Sequence, residues 1–237
     1  SELIVEGDYL TDQRTPDFGA GIINYQIVNI PRERFLGVAW SSVKSSQSSI
    51  NATFTHPISP NWTLKWMNGL RQNASNLFSN TRPNTGTLIK ADGQWIRNLQ
   101  KSEVSERYGI SQVDLIGHLN LAGMKHQVLL GMDADFYDTD TYAYNQFSRY
   151  DTVNVYTNTL KPSRADQPAM TPFTKTMAPI RRFGVYAQDL IHINEQWKVL
   201  AGLRYSYQQT LSDVYSYTTG QTTSSSNFDG AFSPRLG

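Results

Sequence analysis

QVDLIGHLNLAGMKHQVLLGMDADF, residues 112–136, is the stretch around which the reading of this chain is organised. It reads as two strands joined at a tight turn. In the second arm Val128, Leu130, Met132, Ala134 and Phe136 alternate with Gln127, Gly131, Asp133 and Asp135, and Leu129 alone breaks the polar set. The first arm keeps the same period, Val113, Leu115, Leu119 and Leu121 against Gln112, Asp114, His118 and Asn120, with Ile116 and Gly117 as interruptions. Successive side chains leave a pleated backbone on opposite faces, so a period of two marks a strand. The joint Ala122-Gly123-Met124-Lys125 supplies the turn glycine. One face is apolar and the other carries carboxylates and amides, which suits a soluble sandwich and a membrane barrel equally. The choice falls to the remaining hairpins.

Working outward, the strand pattern recurs. Leu3, Val5 and Tyr9 oppose Glu6 and Asp8 in a strand expected to end near Asp12, and residues 43–58 and 62–71 form a hairpin across Ser59-Pro60-Asn61. A very long strand-like segment covers about residues 93–121 and feeds the 112–136 hairpin. Residues 181–193 and 197–208 form another hairpin across Asn194-Glu195-Gln196. Long connections are expected over residues 13–42, 138–179 and 211–227, with a medium one after Ser79. Structureless loops of such length are uncommon in compact domains and point to function or disorder. All short turns then fall at one end of the hairpins and all long loops at the other. That is how outer-membrane barrels are built, with brief periplasmic turns and extended extracellular loops. Trp62 and Trp197 directly follow short turns, where an interfacial aromatic girdle belongs. The expected fold is all-β, an antiparallel transmembrane β-barrel sector of about eight strands, with a soluble sandwich as the competing architecture.

Composition narrows the function. The 237 residues carry a formal net charge of +1 and no basic run that would neutralise nucleic-acid phosphates. Without cysteine there is neither a disulfide framework nor a thiolate metal site. No run approaches the roughly 18 apolar residues of a membrane helix, but barrel strands of about 9–11 alternating residues leave mean hydropathy unremarkable. No secretory leader is read at Ser1, and both ends, LIVEGDY and FSPRLG, read as cut, so the whole chain is expected to be part of one barrel domain.

Several phrases resemble the barrel of TonB-dependent siderophore receptors, the ferrichrome-receptor-like branch. They are RTPDFG (14–19), PRERFLG (31–37), NWTLKWMNGLR (61–71), SQVDLIGHLNLAGMKHQVLLGMDADF (111–136), FGVYAQDLIHINEQWKVLAGLRYS (183–206) and FSPRLG (232–237). They cover less than half of the chain but fall on nearly every strand in the family's order. The resemblance implies a larger, plugged, 22-stranded transporter barrel in the outer membrane of a Gram-negative bacterium. Its partners would be outer-membrane lipid, a ferric siderophore, and TonB acting through a plug domain that this sequence lacks. No cofactor is implied, because the iron arrives already chelated. Alternatives are another cargo such as cobalamin, a glycan or a different metal chelate, or a non-transporting adhesin or scaffold.

No sequence pattern points to an enzyme. Ser, His and Asp occur without a nucleophile-elbow motif, and His56, His118, His126 and His192 are scattered without ligand spacing. Asp133, Asp135, Asp138 and Asp140 read as hydrated carboxylates rather than a calcium loop, which would need converging oxygens and a turn glycine. The candidate cargo contacts are aromatic, since an organic chelate offers faces to stack on. They are Phe147 and Tyr150, with Trp40 as a similar candidate in the first long loop. Tyr142 and Tyr144 divide evenly between cargo contact and the outer girdle. Arg149, Arg181 and Arg182 read as solvated charge near strand ends rather than anion attractors.

Overall fold

The computed structural model describes residues 1–157 and 166–237. Its strands are β1 (Glu2–Arg14), β2 (Ile22–Ile23), β3 (Gln26–Ile27), β4 (Ser42–Ser59), β5 (Trp62–Asn80) and β6 (Gln94–Leu121). They continue with β7 (Met124–Tyr144), β8 (Phe147–Asn154), β9 (Pro172–Met177), β10 (Ile180–His192), β11 (Lys198–Ser216) and β12 (Thr222–Leu236). The main sheet runs β1-β4-β5-β6-β7-β10-β11-β12, with β8 added beside β6, and β9 between β7 and β11. Every pairing along that path is antiparallel. Among the described residues β2 and β3 form the other, two-stranded sheet.

The turn end follows from local chemistry. Ala122 and Gly123 close the β6–β7 hairpin with φ of 51° and 78°, and Leu121 pairs directly with Met124. Two left-handed residues give the primed turn that matches strand twist. Pro57, which cannot donate to a ladder, sits where the β4–β5 register shifts.

The loop end differs from expectation. The connection expected over residues 211–227 is instead the tip of the β11–β12 hairpin, turning only over residues 217–221. The one expected over 138–179 contains the last part of β7, all of β8 and β9, and residues 158–165, which lie outside the described residues. β6 is 28 residues long, far beyond the roughly 9–11 needed to cross a bilayer. The loop end is therefore built largely of strand extensions.

The two faces of the sheet are inverted relative to a soluble protein. Register places Leu64, Leu115, Leu130, Ala187, Leu203 and Pro234 in one row across six strands. Leu130, Met132 and Leu203 are 41%, 49% and 50% exposed, and among the described residues no second layer covers them. The opposite row, with Gly131, Asp133 and Asp135, is half-buried and hydrogen-bonded. A sandwich buries its apolar row between sheets; this sheet leaves that row bare. The buried apolar clusters lie elsewhere, at the loop end: Val28, Leu36, Ile89, Trp95 and Val155 in one, Val38, Leu99 and Tyr150 in the other.

Candidate functional site

On the polar face, long side chains reach over glycines to the next strand but one. Arg204 of β11 extends across Gly184 of β10 and grips Asp133 of β7 with both terminal nitrogens, at 2.7 and 2.8 Å. A Cβ on residue 184 would lie 2.1 Å from the Arg204 guanidinium, so glycine is what lets the arginine pass. In the same way the Tyr186 ring lies over Gly131. Its hydroxyl donates to Asp114 and accepts from the Gln112 amide at 3.0 Å, both on β6. Arg182 bonds Asp135 at 2.8 Å, and Glu106 accepts from Tyr137 and, at 2.8 Å, from Asn73. Fork-to-fork arginine–carboxylate pairs fix geometry as well as charge. The result is a continuous polar lattice over β5, β6, β7, β10 and β11.

Two grooves open on this face. One, of about 490 Å³, is lined by Tyr108, Asp133, Asp135, Arg182, Arg204 and Gln208 among others. Its neighbour, about 580 Å³, lies between Gln112, Tyr186, Gln188 and Arg235. Mixed charge with exposed arginine edges and a phenol is chemistry for holding a polar organic solute reversibly, with no covalent step.

At the loop end Arg97 is 2% exposed. Its guanidinium bonds both carboxylate oxygens of Asp151, the Nε contact at 2.7 Å, and donates to the carbonyls of Leu36 (3.2 Å) and Gly37. It thereby ties the segment before β4 to β6 and β8.

The five aromatic candidates do not meet in either groove. Trp40, Phe147 and Tyr150 pack together with Phe78 and Leu99. Trp40 stands edge-on to Phe78 at 4.8 Å and to Tyr150 at 5.9 Å, and its indole nitrogen donates to the Tyr150 hydroxyl at 3.0 Å. Tyr150 in turn donates to the Asp166 carbonyl at 2.9 Å and is 2% exposed, which leaves no ring face for a cargo in this arrangement. Phe78 and Leu99 continue the register of Leu70 and Gly109, the outward row. Tyr142 and Tyr144 belong to β7 rather than to a loop, on the register of Phe136 and therefore also outward.

Tyr144 donates to Glu103 at 2.8 Å, and Lys101 bonds the same carboxylate at 3.0 Å while lying 4.3 Å from the Tyr144 ring centre. Hydrogen bonds from Lys101 first, then from Tyr144, hold the Glu103 carboxyl below its usual range. The Glu103 bond raises the Lys101 ammonium, and burial, then Glu103, raises the Tyr144 phenol. Tyr142 carries Lys175 over its ring at 5.2 Å.

The acidic series divides between faces: Asp133 and Asp135 inward with Arg204 and Arg182, Asp138 and Asp140 outward with Arg181 and Lys175. Sequence reading missed Arg97, Arg204, Tyr108, Tyr186 and Asp114 as site-forming groups. For Tyr108, Asp114, Tyr186 and Arg204 the one legible signal was the inward parity of the polar row, which names no partner; Arg97 shares the outward parity of Leu99 and carried no signal.

The TonB-dependent receptor-like β-barrel family model matches residues 2–237. The metal-pseudopaline receptor CntO of Pseudomonas aeruginosa strain UCBPP-PA14 is 22% identical over 244 residues, covering 100% of this chain and 33% of the relative. The same protein of strain PAO1 gives the same identity and coverage. The siderophore receptor PiuA of Acinetobacter baumannii superposes with a TM-score of 0.83 at 16% identity, over 99% of this chain and 36% of its own. The ferric-catecholate import receptor Fiu of E. coli K12, open form, gives 0.78 at 16% identity, over 97% and 40%. BauA, the ferric preacinetobactin receptor of Acinetobacter baumannii, gives 0.74 at 16% identity, over 99% and 34%.

Proposed function

This chain belongs to the TonB-dependent receptor-like β-barrel family, and from that premise we propose that it is a wall sector of an outer-membrane importer of a ferric siderophore. The observation that carries the reading is the inversion of the sheet: a bare apolar row, 41–50% exposed at Leu130, Met132 and Leu203, backs a hydrogen-bonded polar row. Hydrocarbon satisfies the first and a hydrated lumen the second. Both edge strands, β1 and β12, have an unpaired side. Bare ladder groups are costly in lipid, so in this reading further strands close the barrel, and the family resemblance implies a plug within it. The curated relatives, of whose length the chain spans 33%, are of a size to supply both.

In this reading the chelate enters at the loop end and descends along the inner wall past the Tyr108 phenol and the Arg182 and Arg204 guanidiniums, which favour a transient polar contact over tight capture. Work delivered by TonB to the plug opens the path. The residues perform no bond chemistry. The metal-chelate class is also supported by the similar receptors, which are named for siderophores, ferric catecholates and metal-pseudopaline, and a pseudopaline-type chelate is the second candidate cargo.

The test is uptake of radiolabelled ferric siderophores, and of other metal chelates as competitors, by cells bearing the full-length receptor, with and without TonB. TonB-dependent uptake is expected, reduced by Arg182→Ala and by Tyr108→Ala. Among the loop-end aromatics, Trp40→Ala and Phe147→Ala at unchanged surface levels decide whether those two rings touch cargo. A receptor that accumulates no chelate under iron limitation, at normal surface level, overturns the reading.

A further inference from the structure

The charges of the inward face change character towards the turn end. Nearer the loops, arginine is matched by carboxylate, Arg182 with Asp135 and Arg204 with Asp133. Towards the turns, the exposed Arg235 of β12 shares an inward row with Gly202, Gln188 and Leu129. Two inward rows further on, Lys125 of β7, His192 of β10 and Lys198 of β11 stand side by side in register. Adjacent strands are about 4.8 Å apart, so the two lysines flank the imidazole across about 10 Å of wall. Both lysines are exposed.

Among the described residues no carboxylate lies within ion-pair distance of Arg235, Lys125, His192 or Lys198. Glu195, in the adjoining turn between β10 and β11, pairs with none of them. Asp189 turns to the outward face, where it bonds His126 at 2.7 Å. A hollow of about 370 Å³ opens beside the row, lined by Asn61, His118, Asn120, Lys125, Gln127 and His192 among others. His118 pairs in register with Gln127, and Asn120 with Lys125, so these four share the inward face. Amides and imidazoles thus surround the ammonium groups with further N–H donors.

Given the importer reading, on which this step rests, the turn end faces the periplasm and the row borders the exit of the lumen. We propose that it is an exit subsite for a metal chelate of net negative charge. The Lys125 and Lys198 ammoniums bind anionic oxygens of the complex, and N–H groups of His192 and Asn120 complete the contact. Along the descent the wall passes from arginines already neutralised by carboxylates to the free Arg235, and then to the lysine row. The field therefore draws an anion towards the exit. An uncharged chelate gains nothing from it.

The full-length receptor in nanodiscs is treated with a water-soluble amine-acylating reagent, and modification of Lys125 and Lys198 is followed by mass spectrometry. The trianionic iron(III) tris-catecholate should slow acylation of both lysines several-fold, while an uncharged iron(III) tris-hydroxamate of similar size should leave it unchanged. Inorganic phosphate should protect only at far higher concentration. Lys198→Gln should raise the concentration of tris-catecholate that half-protects Lys125 by about fivefold, the effect of one ammonium in contact with the complex. Lys198→Arg, which keeps the charge, should hold it near the wild-type value. Equal protection by the charged and uncharged complexes, or protection by neither, overturns the proposal. So does phosphate protecting as well as the trianion, or a half-protecting concentration that Lys198→Gln leaves unshifted, since the two lysines would then share no ligand. Absence of TonB-dependent chelate uptake by cells bearing the wild-type receptor overturns the importer reading instead, whatever the protection pattern.

Discussion

Leu203→Arg is the sharpest test of which face meets lipid. The outward residues of β11 run Val199, Ala201, Leu203, Tyr205 and Tyr207, so Leu203 stands four residues from either end of its apolar row. At about 3.4 Å per residue and a tilt of about 40°, it lies about 10 Å from each boundary, close to the bilayer midplane. Its neighbours in register are Ala187 and Pro234, neither of which can pair with a guanidinium. An arginine at that depth should destabilise the barrel by about 2–4 kcal/mol. Gln188→Arg is the control, one register step away and inward, where it pairs with Gly202 and lines the polar groove. There the new charge stays in water, and the cost should be below about 1 kcal/mol. Equilibrium urea unfolding of the full-length protein in lipid vesicles, followed by tryptophan fluorescence, reads the difference as a midpoint shift of about 1 M if the slope is about 3 kcal/mol/M. Equal shifts for the two variants, or a larger one for Gln188→Arg, would refute the face assignment.

Three further outcomes follow from named contacts. Arg97→Met keeps the buried stem but strips the donors from Asp151 and from the carbonyls of Leu36 and Gly37. It should cost about 3–5 kcal/mol of local stability and speed proteolytic cleavage within residues 15–41; unchanged protection would show that other contacts hold that segment. Tyr186→Phe removes the donor to Asp114 and the acceptor for Gln112, for an expected loss of about 1–2 kcal/mol in the same urea assay, and an unshifted midpoint would make the lattice energetically idle. Glu103→Gln tests the outer cluster by pH. The folded Glu103 carboxyl is held below its usual value, so its stabilisation is present above about pH 4.3 and vanishes as pH falls through the lowered folded value. Lys101, raised by the same contact, loses its share only as pH rises through its raised value. With the Glu103 side chain 38% exposed, the wild-type advantage at neutral pH should be under about 1 kcal/mol. Thermal scans of the two proteins should converge on acidification, and a gap that persists to pH 2 contradicts the assignment.

The sequence by itself determined the strand period, the turn end and the existence of an apolar and a polar row. It did so because alternation is a local property, legible wherever one face is apolar. It misread residues 138–144, 211–216 and 222–227 as loop for the same reason. Those extensions stand above the apolar row, Thr, Ser, Tyr and Asp occupy both faces, and the period of two disappears from hydropathy while the backbone ladder continues. Tertiary structure alone decided which polar groups meet. Register brings Arg204 over Gly184 to Asp133, and folding of the loop end brings Arg97 to Asp151 across 54 positions. It also decided that Trp40, Phe147 and Tyr150 pack on one another, on the outward register of Phe78 and Leu99. Partner choice across strands depends on register, and register is fixed by the whole sheet, so no window of sequence contains it.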